Sequence, residues 1–194
     1  MIDTNHSNSQ TMGVRASLKQ DLISYLRKNS QYENGFDENA AIQDLYRGPD
    51  LTERQAGLLH RLYDASRYEN NLDEEYAFKQ VLRQPQITQQ QVAVIDTITN
   101  NARYNNNFDE NKAVYETLRH PEIGDNQARV LSTLAAGARE SNDFDEDWAF
   151  AAVARGKEFT SDKAAELTDI FRNARYENGL DDDGIFLLAL NNRG

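Results

Sequence analysis

Apolar residues fall at helical spacing along the chain, and the pattern repeats. Leu18, Leu22, Tyr25 and Leu26 mark one face of a first helix over about 16–32. A shift of 36 residues lays this segment on 52–68, 88–104, 124–140 and 160–176, here termed helix A. Shorter segments at 37–47, 73–83, 109–119, 145–155 and 181–191 form helix B. Between each A and B lies a recurrent turn, such as Tyr68-Glu-Asn-Asn-Leu-Asp73, anchored by Phe36, Leu72, Phe108, Phe144 and Leu180. Positions that stay apolar define the core. In helix A they are Leu59/Ile95/Leu131/Leu167 and Leu62/Ile98/Leu134/Ile170, with small residues at Ser66/Ala102/Ala138/Ala174. In helix B they are Ala41/Ala77/Ala113/Ala149/Ile185 and Ile42/Phe78/Val114/Phe150/Phe186. One hairpin cannot bury such faces alone, so neighbours must stack into a shared core. The expected fold is all-α: an α-solenoid of about five antiparallel helical hairpins with an extra N-terminal helix. It occupies 15–194 as a single repeat domain, after a disordered lead over 1–14.

The ends of these helices are encoded as clearly as their faces. Thr52 with Gln55, and Thr88 with Gln91, have the spacing of a capping box. Leu51 with Ala56, and Ile87 with Val92, take the flanking staple positions. The third copy offers Gly124 or Asp125 with Gln127; the fourth offers Thr160 with Lys163, or Ser161. Pro49, Pro85 and Pro121 stop helix B. Asn34, Asn70, Asn106, Asn142 and Asn178 suit a left-handed helix end. Asp37, Asp73, Asp109, Asp145 and Asp181 are the expected N-caps of helix B. The acidic residues that follow each of them favour the helix dipole. Arg67, Arg103, Arg139 and Arg175 sit at the opposite dipole end of helix A.

The stretch Asn106-Asn-Phe-Asp-Glu110 resembles the tetratricopeptide turn, and the prolines at 49, 85 and 121 are similar to that family's closing proline. The resemblance covers each A–B turn and implies a helical hairpin array, here right-handed and TPR-like. It carries no functional residue over, because the period is 36 and the family's helix A pattern is missing. The period is also similar to that of Pumilio-type RNA readers. That mode requires base-stacking side chains on a basic face.

Charge narrows the function. The 194 residues carry a formal net charge of −11, which disfavours binding to phosphate backbones or an anionic membrane surface and suits a basic partner. With no cysteine, disulfide and thiolate chemistry are excluded. The polar N-terminus lacks the form of a Sec signal peptide, and no segment has the apolar length of a membrane span. The expectation is a soluble chain, cytoplasmic or exported without such a signal.

No catalytic motif emerges. His6, His60 and His120 lack metal-ligand spacing. The Asp-rich turns offer oxygen ligands, but capping accounts for them and the EF-hand spacing is missing. No metal or cofactor is expected. Positions that vary between copies are the candidates for recognition. Tyr76, Lys79, Lys112, Tyr115 and Trp148 fall on two helix B positions three apart and form an aromatic and basic stripe. The alternative is that these aromatics fill gaps between hairpins. On helix A, Glu53, Arg54, His60, Arg61 and Asp64 read as a solvated face. The last helix is apolar nearly all round, so Leu187 and Leu188 are candidates for self-association. The expected function is a non-enzymatic protein–protein interaction module. The alternatives are an enzyme or enzyme-associated domain with a site in an interhelical groove, and a secreted bacterial effector. A polar cluster that breaks the repeat beside one groove favours the enzyme.

Overall fold

The computed structural model describes the backbone over 6–30, 35–68, 70–102, 108–138, 144–174 and 181–192, and side chains from Leu18 onward within those ranges. Ten helices cover these residues. They are α1 (His6–Asn29), α2 (Glu38–Arg47), α3 (Glu53–Ala65), α4 (Glu74–Leu82), α5 (Gln89–Asn101), α6 (Glu110–Arg119), α7 (Asp125–Gly137), α8 (Glu146–Arg155), α9 (Ser161–Ala174) and α10 (Asp182–Asn191). Odd-numbered helices are helix A and even-numbered ones helix B. The helix A of the second hairpin, α3, is shorter at its C-terminus than its pattern suggests, because the turn residues from Ser66 onward leave the helix. Of the lead, residues 1–5 lie outside the described residues and 6–14 belong to α1. Also outside them are Asn34, Asn106, Asn142, Asn178, Arg103, Arg139, Arg175 and Leu180.

The chain divides into two compact units, Met1–Tyr68 with Asp73–Ile87, and Glu69–Leu72 with Thr88–Gly194. In the first, α1 packs on α2 and α3 on α4 as hairpins, while α1 meets α3 and α2 meets α4. The same rule builds the second: α5–α6, α7–α8 and α9–α10 are hairpins, A helices pack on A helices, and α8 packs on both α6 and α10. The helix expected as an N-terminal extra is therefore α1, the A member of the first hairpin.

The repeating apolar positions are the core. Leu59, Ile95, Leu131 and Leu167 are all fully buried, as are Phe78, Val114 and Phe186. The turn anchors Phe36, Leu72, Phe108 and Phe144 are buried too. Ile170 is only half-buried, and Ile185 departs further. Its counterparts are buried alanines, yet it is 41% exposed, because no helix among the described residues covers that face of α10.

All five aspartates cap helix B as expected. Asp37, Asp73, Asp109, Asp145 and Asp181 each accept from a backbone amide three residues on, at 2.8–3.0 Å. The capping boxes of α3 and α5 form in full. At α7 the N-cap is Gly124, which has no side chain to offer, so only the reverse bond from its amide to Gln127 Oε1 remains. At α9 the Thr160 hydroxyl, not that of Ser161, accepts from the Lys163 amide.

The N3 residue also has a second role. Gln55, Gln91 and Gln127 are buried, and each Nε2 donates to carbonyls at the far end of the partner helix B: Val81 and Gln84, Thr117 and Leu118, Val153 and Gly156. Lysines stand at the same position in the first and last hairpins. Lys19 Nζ donates to the Gly48 carbonyl at 2.8 Å, and Lys163 Nζ to that of Ala189 at 2.9 Å. One side chain per hairpin thus ties helix A to the end of B and satisfies orphan carbonyls there.

A ladder links successive turns. The Asp37 amide donates to Glu75, that of Asp109 to Asp147 and that of Asp145 to Asp183. Each acceptor lies 38 residues ahead, in the first turn of the next helix B. These three N-cap amides are thereby satisfied.

Candidate functional site

The helix B stripe divides between the two units. On α4, Tyr76 is half-buried. The Lys79 ammonium is bonded to Glu75, four residues back on the same helix, which raises its pKa. Since Glu75 also holds the Asp37 amide, this lysine is tied into the turn ladder. On α6, Lys112 and Tyr115 are exposed; on α8, packed beside it, Trp148 is half-buried. Arg119 lies over the Tyr115 ring, 5.1 Å from its centroid, and donates to the hydroxyl at 3.0 Å. This arginine pins an exposed aromatic in one orientation. Asp147, between α8 and the Asp109 turn, has its pKa raised by burial, and Lys112 opposes that rise.

Nearby, Glu116 of α6 is buried and forms a two-pronged bond with Arg155 of α8. That guanidinium holds the Glu116 carboxyl below the usual range. His120 bonds Glu122 at 2.8 Å, which lowers the Glu122 carboxyl in turn. The Glu116–Arg155 pair braces α6 against α8.

The first unit holds a cluster that the repeat pattern does not disclose. The His60 side chain is 41% exposed, as expected of a solvated face, and its ring also stacks on Tyr25 of α1, with centroids 3.7 Å apart and planes tilted by 33°. The Tyr25 hydroxyl donates to Asp64 at 2.6 Å, and His60 Nδ1 lies 3.4 Å from the same carboxylate. Arg67 approaches Asp64 at 3.3 Å and lies against the Tyr63 ring. The Asp64 bond raises the Tyr25 phenol, and Tyr25 and Asp64 raise Arg67. Burial, followed by a bond to Glu38, pushes Tyr63 up as well. The signal was available in the sequence. Tyr25, His60 and Asp64 are replaced in the second unit by Thr97, Ser132 and Ala136, 72 residues on.

On α10, Leu187 and Leu188 are 39% and 64% exposed beside Ile185. Among the described residues no helix is long and apolar enough to cross a membrane. Compared with known proteins, the chain matches no family model, no curated sequence and no solved structure.

Proposed function

We propose that the chain is a non-enzymatic protein–protein interaction module, with the α6/α8 face as its contact surface and Lys112, Tyr115 and Trp148 as contact residues. The carrying observation is Tyr115, 40% exposed yet held by Arg119. An ordered aromatic on a capped helix loses little further freedom on binding. The net charge of −11 favours a basic partner and a salt-sensitive association rate. The test is capture from native lysate by wild type and by a Tyr115→Ala/Trp148→Ala variant, followed by titration of the recovered partner. The variant should bind at least about 30-fold more weakly, the loss of roughly 2 kcal/mol that marks hot spots. Equal recovery by both proteins would remove this face from consideration.

A second contact is self-association through α10. It is supported by the exposure of Ile185, Leu187 and Leu188, since water-facing aliphatic clusters mark association surfaces. Wild type should show a concentration-dependent mass that Leu187→Glu/Leu188→Glu reduces to that of one chain. A single-chain mass for both proteins counts against it. The enzyme alternative has one observation in its favour, the Tyr25–His60–Asp64 cluster beside a groove.

A further inference from the structure

The A helices of the first unit leave a cleft at a register where side chains bridge the A helices within the second unit. Between α1 and α3 lies a space of about 610 Å³, within the range of ligand sites. Its floor is Leu18, Leu22, Ala56 and Gly57, and the Tyr25–His60 stack walls one end. In the second unit Gln90 takes the place of Leu18 and donates to Asp125 at 2.8 Å across α5 and α7. One hairpin later Asn126 donates to the Phe159 carbonyl at 2.8 Å. Leu18 makes no such bridge, and Gly57 stands where α7 carries Arg129. A side chain at 57 would enter open space, meeting only Arg61 Nη1 at 3.4 Å.

Charge selects the occupant. Asp21 and Glu53 line the cleft against one cation, Arg61, so with His60 neutral it is net negative. Asp64, behind His60, is balanced by Arg67. We propose that this cleft binds a small organic amine with an apolar body. The body lies along Leu18, Leu22 and the bare backbone of Gly57, where it displaces water. The ammonium faces Asp21 and Glu53. From Leu18 to Tyr25 the cleft runs about 10 Å along α1, room for one ring and its amine arm. This assignment does not rest on the α6/α8 face.

The test uses three probes with one body: phenethylamine, phenethyl alcohol and 3-phenylpropionate, titrated into the full chain and followed by amide NMR shifts. The amine should saturate in the millimolar range, move the Tyr25, Gly57 and His60 amides, and bind about tenfold more tightly than the carboxylate, a difference of about 1.4 kcal/mol. Gly57→Arg, which installs the residue of the second unit, should abolish those shifts while Trp148 resonances and helix content stay unchanged. Leu18→Gln decides by the same criterion if Gly57→Arg loses helix signal. The assignment is overturned by no saturable shift with the amine, by equal affinity for amine and carboxylate, by shifts centred elsewhere, or by wild-type affinity in a folded variant.

Discussion

Gln91→Ala is expected to lower stability by about 3 kcal/mol, which for a chain of this size lowers the melting temperature by roughly 6–12 °C. The residue is 2% exposed and serves both helices of its hairpin. Its Oε1 accepts from the Thr88 amide at 3.0 Å, and its Nε2 donates to the carbonyls of Thr117 at 2.9 Å and Leu118 at 3.2 Å. Alanine leaves one donor and two acceptors without this partner in a space too covered for water to replace it fully. Other substitutions should rank by what they restore. Gln91→Lys can reach the carbonyls as Lys19 and Lys163 do, but it forfeits the cap acceptor and buries a charge. Gln91→Glu keeps the cap acceptor and turns a carboxylate oxygen toward two carbonyls, so it should be the worst of the three. Thermal unfolding followed by circular dichroism gives the order. An alanine variant within about 0.5 kcal/mol of wild type, the range of an ordinary surface change, would show that the tie contributes little.

The same position shows what sequence reasoning reaches and what it does not. Thr52/Gln55 and Thr88/Gln91 are legible as capping boxes because the bonding partners are three residues apart. The second half of the Gln role joins residues 26–29 apart, and nothing local marks it. The hint was that Lys19, Gln55, Gln91, Gln127 and Lys163 all offer an N–H donor at one register. Helix order, pairing and core followed from periodicity, since stacked hairpins fix which face is buried. Exposure at the last hairpin did not: the alignment puts Ile185 among buried alanines, but burial requires a neighbour on that side. The stacking of His60 was missed for a related reason. A variable position reads as solvated, whereas its environment depends on Tyr25, which is itself peculiar to the first hairpin. The stripe on helix B was legible as variation, but the bond from Lys79 to Glu75 was not.

Phe171 and Gly137 form the pair whose coupling should be largest. Phe171 of α9 is 1% exposed, and its ring faces α7 at Gly137. A Cβ at 137 would lie 2.4 Å from Cε1 and 2.7 Å from Cζ of that ring. The ring cannot simply retreat, because Phe144 lies 5.3 Å away, centroid to centroid. The pairs at this register in the other copies are Asn29 with Tyr63, Ala65 with Thr99 and Asn101 with Ala135, so a glycine opposite a phenylalanine is peculiar to α7 and α9. Gly137→Ala should cost about 2 kcal/mol: overpacking of up to roughly 3 kcal/mol, offset by about 1 kcal/mol of better helix propensity. Phe171→Ala should cost about 3–5 kcal/mol through the cavity it leaves. In the double variant the new methyl enters that cavity. The combined loss should therefore fall short of the sum of the single losses by more than about 1 kcal/mol, beyond the few tenths seen for independent sites. Urea unfolding of the four proteins completes the cycle. Additive losses would mean that α7 and α9 move apart to admit the methyl, and that the glycine is not what lets the ring pack so closely.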